Sequence, residues 1–154
     1  MMSSRSAETA KYTLDTNLFV DAFRDDAAAA ALDAFLRRAL AVTFLSSVVV
    51  QELRAGARAA KAATALQRGI FAPFERRHRV VAPSAAAFKE SGRILAGLAV
   101  RDGADGVRGN RSLANDTLLA ASCRERGLTL VSNEGDFDRI RPLLAGFRLV
   151  RPWP

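Results

Sequence analysis

Short apolar runs alternate along the chain with longer stretches in which apolar side chains recur every three to four positions. The first run, "KYTLD", predicts a strand over Lys11–Asp15, followed by a short helix "TNLFVDAFRD" capped by Thr16 or Asn17. "AAAAALDAFLRRAL" consists of strong helix formers, and "AVTFLS" predicts a β-branched and aromatic strand over Val42–Leu45. Ser46 or Ser47 caps "VVVQELRAGARAAKAATALQ", one long helix or two in tandem, and "GIFAPFERRH" bends the chain at Pro73. "RVVAPS" reads as a strand ended by Pro83, with Ser84 capping the helix "AAAFKESGRILAGLAV". The Gly- and Arg-rich stretch Arg101–Arg111 reads as a loop. A helix opened by Ser112 and stopped by Gly127 follows, then a strand "LTLVS", a mostly helical Asp136–Leu144 and a last strand "FRLVR". Strands alternating with helices place the chain in the α/β class with a mainly parallel sheet. Sites in such sheets lie outside the carboxyl ends of the strands.

Composition narrows the setting. The 154 residues fit one domain, expected over 11–154, behind a flexible polar tail over 1–10. No apolar run approaches the roughly 20 residues needed to span a bilayer, and no signal peptide is evident. One cysteine, Cys123, excludes an internal disulfide and suits a reducing compartment, so a cytoplasmic location with no membrane partner is expected. The net charge is +7, and 20 of the 23 basic residues are arginine, spread along the chain and not gathered in one tail. That excess favours an anionic partner, most simply nucleic acid, although Ala and Arg together also mark a GC-rich coding sequence.

Against this basic background, several acids stand where carboxylates are costly. Asp15 ends an apolar strand at the expected carboxyl edge, where it can cap a helix or serve a site. Glu52 shares a helix face with Val48, Val49, Ala55 and Gly56, and needs a partner, either a distant arginine or a cation. Asp116 lies among Leu113, Leu119, Ala120 and Cys123, flanked by Asn115 and Thr117, and the helix dipole is the alternative reason for its place. Beyond the strand "LTLVS" come Glu134, Asp136 and Asp138. Four regions distant in sequence thus deliver carboxylates to one expected edge. Clustered carboxylates repel or take up protons unless a cation joins them. Oxygen-only ligands select Mg²⁺ or Mn²⁺, and an acidic metal site in a basic protein suggests phosphodiester chemistry.

Other chemistries lack their residues. With one Cys and one His, zinc is disfavoured, as is a ribonuclease using paired histidines. There is no phosphate-binding Gly-x-x-x-x-Gly-Lys-Ser/Thr loop. "LDTNLF" superficially matches an aspartate-nucleophile phosphatase motif, but Asn17 stands where a second Asp is required.

Three segments carry a family resemblance: "YTLDTNLFVDAF", "LSSVVVQELRAGA" and "LANDTLLAASCRERGLTLVSNEGDF". In order and spacing they resemble the PIN-domain ribonucleases, specifically the VapC-type toxins of bacterial toxin–antitoxin pairs. The resemblance implies a PIN-like three-layer α/β fold, with about five parallel strands flanked by helices. It further implies one or two Mg²⁺ or Mn²⁺ ions and endonucleolytic cleavage of RNA. By position, Asp15, Glu52 and Asp116 match the family's first three acids, and Asn17 and Ser132 its supporting polar residues. Asn115 is a further supporting candidate. The fourth ligand is Glu134, where the family more often has Asp, with Asp136 the alternative; Asp138 has no counterpart role. A small antitoxin lying across the active-site groove and a homodimer are also implied. Two other readings use the same motifs: a PIN nuclease of RNA maturation and a catalytically idle RNA-binding module.

Overall fold

The structure, a computed structural model, describes residues 9–154. Most of the polar tail expected over 1–10 therefore lies outside the described residues. Five strands, β1 (Tyr12–Leu14), β2 (Thr43–Ser46), β3 (Val80–Val81), β4 (Thr129–Val131) and β5 (Arg148–Val150), form one parallel sheet in the order β3-β2-β1-β4-β5. Among the described residues, eight α-helices flank it: α1 (Thr16–Arg24), α2 (Asp26–Ala39), α3 (Ser47–Gly56), α4 (Ala60–Leu66), α5 (Ala72–Glu75), α6 (Ala85–Asp102), α7 (Arg111–Arg126) and α8 (Asp136–Ile140).

The strand order positions the site. β1, first in sequence, lies between β2 and β4, with Thr13 opposite Phe44 on one side and Leu130 on the other. The chain builds outward through β2 and β3, then crosses to the far side of β1 for β4 and β5. The crevice at the carboxyl ends of β1 and β4 is thus the switch point where parallel sheets accept ligands. Leu14, Leu45, Leu130 and Val131 are fully buried and join Phe19, Ile94, Leu98, Leu113, Leu119 and Phe137 in a single core. α6 and α7 lie side by side, fastened inside by the 2.7 Å hydrogen bond between Ser91 Oγ and Thr117 Oγ1. Among the described residues, no helix is long and apolar enough to cross a membrane.

Several local expectations shift. Asp15, rather than Thr16 or Asn17, caps α1. Ser46 is the last residue of β2 and caps α3, accepting from Val48 N at 3.2 Å. The segment after Ser47 breaks at 57–59 into α3 and α4. Pro73 does not bend the chain. α4 runs through a π-helical turn, Gln67–Phe71, into α5, with Pro73 in its first turn. The widened turn relieves the clash a proline ring would make with the carbonyl four residues earlier. The reversal comes later, at Arg76–Arg79, where Arg79 N donates to Phe74 O at 2.9 Å and His78 takes a φ of 53°. α7 is opened by Asn110, not Ser112: its Oδ1 accepts from Leu113 N at 3.0 Å. The expected loop is shortened by the end of α6 and a 3₁₀ turn at Ala104–Gly106.

Gly127 ends α7 in the left-handed region at φ 67°, while Gly92 is an exposed residue within α6; a Cβ meets nothing within 4 Å at either. Backbone conformation alone therefore separates them. Gly127→Ala is expected to lower stability by about 1 kcal/mol, or ~2–4 °C in melting temperature. Gly92→Ala should raise stability by roughly 0.5–1 kcal/mol, and thermal melts of the two variants check both signs.

Candidate metal centre

Asp15 is set at the sheet edge by its own backbone, whose N–H extends the ladder to Val131 O at 3.1 Å. Its side chain is buried and doubly held. Oδ1 accepts from Thr16 N at 2.8 Å, and Oδ2 accepts from Ser132 Oγ at 2.8 Å across the β1–β4 junction. Capping and site placement are therefore one arrangement. Ser132, fully buried just past β4, also accepts from Glu134 N at 3.0 Å and so fixes the turn that carries Glu134. From the first turn of α1, Asn17 Nδ2 donates to Glu134 Oε1.

Glu52 comes from α3. Its partner is not an arginine: Oε1 accepts from Thr16 Oγ1 at 2.8 Å, and no ion pair holds it among the described residues. Thr16 is a site contact that the sequence reading placed only as a helix cap. Its place directly after Asp15, in the turn entering the crevice, was the available signal.

Asp116 is the most exposed to its neighbours' charge and the least supported. It is 7% solvent-exposed, and since no wholly buried side-chain oxygen among the described residues lacks a hydrogen bond, its carboxylate, which accepts none from a described side chain, is open to the crevice. Its pKa is pushed up to about 8, first by burial, then by the charges of Asp15, Glu52, Asp136 and Glu134. The structure thus brings four acids within electrostatic reach of Asp116, and two of them, Glu52 and Glu134, within reach of Asp15. Because α7 begins at Arg111, Asp116 lies beyond the first turn, where the helix dipole has faded, so the dipole does not explain its place. Asp15 is raised to about 6, chiefly by burial, against the lowering effect of Ser132 and Thr16, with Glu52 and Glu134 adding repulsion.

Asp136 opens α8 and is gripped by Arg139 at 3.2 Å. Arg139 also reaches Asp102 at 3.1 Å, a link absent from the sequence reading because the two residues lie 37 positions apart. Asp138 pairs with Arg151 at 2.7 Å on the surface, away from the acid cluster's shared contacts. Asn115 is half-buried beside Asp116 and makes no side-chain hydrogen bond to the acids among the described residues. Cys123 is a core residue, its thiol pushed up by burial, and His78 sits exposed in the turn before β3.

Among the described residues, no three acids converge on one point at ligating distance; Thr16, Asn17 and Ser132 hold three of them instead. The donor set nevertheless fits a hard divalent cation in kind and in charge. It consists of carboxylate oxygens, includes a buried Asp116 without a protein partner, and is destabilised by its own repulsion. Asp15, Glu52, Asp116 and Glu134 are the residues that could hold such an ion.

The raised pKa values carry a sign. Folded Asp116 keeps its proton to about pH 8, whereas the unfolded carboxyl releases it near its ordinary value of 3.8. Metal-free stability from this group is therefore full below about pH 4 and lost as the pH climbs to 8. In chelator, Asp116→Asn should match wild type near pH 4. By pH 8 it should exceed wild type by on the order of a few kcal/mol, as pH-resolved thermal melts would record.

Known proteins share this fold. The PIN domain family model covers residues 12–142, a span holding all five acids. No curated protein sequence matches the chain. Among solved structures, DNA-bound VapBC from Salmonella typhimurium is similar at 24% identity and TM-score 0.69, over 93% of this chain and 98% of that one. VapBC2 from Rickettsia felis bound to a promoter DNA fragment gives 23% and 0.60, over 93% and 98%. FitAcB from Neisseria gonorrhoeae gives 22% and 0.61, over 92% and 98%. At these identities the structures establish the shared fold, and the family model establishes membership: the chain belongs to the PIN domain family.

Proposed function

We propose that this chain is a Mg²⁺- or Mn²⁺-dependent endoribonuclease acting as the toxin of a toxin–antitoxin pair. One observation supports the reading: the charges of four carboxylates from three other chain segments, Asp15, Glu52, Glu134 and Asp136, fall on the largely buried Asp116. Such crowding is unfavourable for the metal-free fold and is relieved by a cation. The bound ion would polarise a phosphate oxygen and lower the pKa of a water molecule.

The chain's own residues set the stage for that chemistry. Asp15, Glu52, Asp116 and Glu134 supply the ligand oxygens, and Ser132, Thr16 and Asn17 fix the orientation of three of them through hydrogen bonds. Asp136 supports from outside, with Asn115 as a polar neighbour of Asp116. The exposed Arg108, ahead of α7, and Arg111, its first residue, face solvent where they can meet an RNA backbone.

The partner reading rests on a groove and on the neighbours' composition. An apolar groove of about 310 Å³ opens beside Glu52, lined by Val20, Phe23, Leu53, Ala57, Ala65 and Leu66. Phe23 in it is 58% exposed, an uncovered large apolar surface beside charged residues. A small antitoxin segment laid along this groove would cover that surface and place a basic side chain at the acids. The similar structures are VapBC and FitAcB assemblies, which favours a toxin over a nuclease of RNA maturation. A homodimer joined to antitoxin is the assembly in keeping with this role.

Purified protein should cut labelled RNA with Mn²⁺ or Mg²⁺ and stop in chelator. Asp15→Asn and Asp116→Asn should each reduce the rate by at least about a hundredfold. Absence of cleavage in every metal, or equal cleavage by both variants, contradicts the assignment. RNA binding should weaken steeply with salt, and Arg108→Ala should flatten the log–log slope by about 0.7 for a single-stranded RNA.

A further inference from the structure

Among the described residues, Asp136 is the one acid of the cluster paired with a cation. Arg139, one helical turn along α8, directs Nη1 to Asp136 Oδ1 at 3.2 Å and Nη2 to Asp102 Oδ2 at 3.1 Å. Asp102 is itself fixed from the other side, accepting from Arg101 Nε and Nη2, each at 3.1 Å. The guanidinium fork therefore ties Asp136 to the last residue of α6. Asp102 stands immediately before Gly103, whose φ of 96° turns the chain toward α7 and Asp116. Glu134 has no such restraint by a cation: its side chain is turned to Asn17, within the crevice. Two neighbouring acids thus have different partners: Glu134 an amide from α1, Asp136 a guanidinium shared with Asp102.

We propose that Arg139 is a positioning residue that holds Asp136 outside the ion's ligand set, leaving Glu134 as the fourth ligand and setting metal affinity. The inference rests on the metal-site reading above. It follows from geometry and charge together. A planar fork with one nitrogen on each of two carboxylates can satisfy both only while Asp136 leans toward Asp102. Without Arg139, Asp136 is freed, and its charge is added to the ligands. Lysine would keep the charge but lose the fork.

The test is a double-mutant cycle read by Mn²⁺ affinity, measured by titration calorimetry on the full chain without RNA. Arg139→Ala should bind Mn²⁺ about tenfold more tightly than wild type, and Arg139→Lys should show an intermediate gain. In the Asp136→Asn background the same Arg139→Ala change should have no effect, because the carboxylate through which Arg139 acts is gone. Arg151→Ala removes a comparable surface pair, with Asp138 on the same helix, and should leave affinity unchanged. Affinity unaltered by Arg139→Ala, or a gain that persists with Asp136→Asn, overturns the proposal while leaving the metal site intact. Failure of wild type itself to bind Mn²⁺ overturns the metal reading, and this inference with it.

Discussion

Repulsion among carboxylates at the carboxyl edge of the sheet is the constraint on which the rest of the structure turns. Burial and four neighbouring charges push Asp116 up to about 8, so at neutral pH the fold holds a proton there. Hydrogen bonding tempers this for Asp15, which stays lower, at about 6, because Ser132 and Thr16 donate to it. Each donor near the acids is therefore part of one electrostatic balance. Asn17 and Thr16 hold the two glutamates, and Arg139 pairs with Asp136.

The fold exists in a form that makes this concentration of charge possible. Because β1 lies between β2 and β4, the carboxyl ends of three strands and the helices that follow them meet at one crevice. Asp15 and Ser132 come from the adjacent strands β1 and β4, Glu52 from the helix leaving β2, and Asp116 from α7, whose tilt is secured by the buried Ser91–Thr117 bond. The surrounding core of Leu14, Leu45, Val131 and Phe137 gives the site a rigid apolar floor, and also the low polarity that makes the repulsion large.

The α/β class and the strand sequence were legible because each rests on local pattern, and so was the unusual placing of Asp15, ending an apolar strand, and of Asp116, interrupting an apolar helix face. What the sequence hid was pairing across distance. Nothing near Glu52 points to Thr16, and nothing near Arg139 points to Asp102. Helix starts were misplaced for a related reason. Ser112 and Asn110 are both good caps, and only the course of the chain after the 3₁₀ turn decides for Asn110. Pro73 was read as a bend because a π-helical turn, which absorbs a proline, leaves no sequence signal of its own.

The central claim, that a protonated carboxylate cluster is a cation site in waiting, makes proton release its most direct signature. Titrating Mn²⁺ into the metal-free chain at pH 7, in two buffers of different ionisation enthalpy, counts the protons displaced. The expected result is about one proton per ion at pH 7, falling toward zero above pH 8 as Asp116 ionises unaided. Binding with no proton release at pH 7, or no binding at all, would contradict the account.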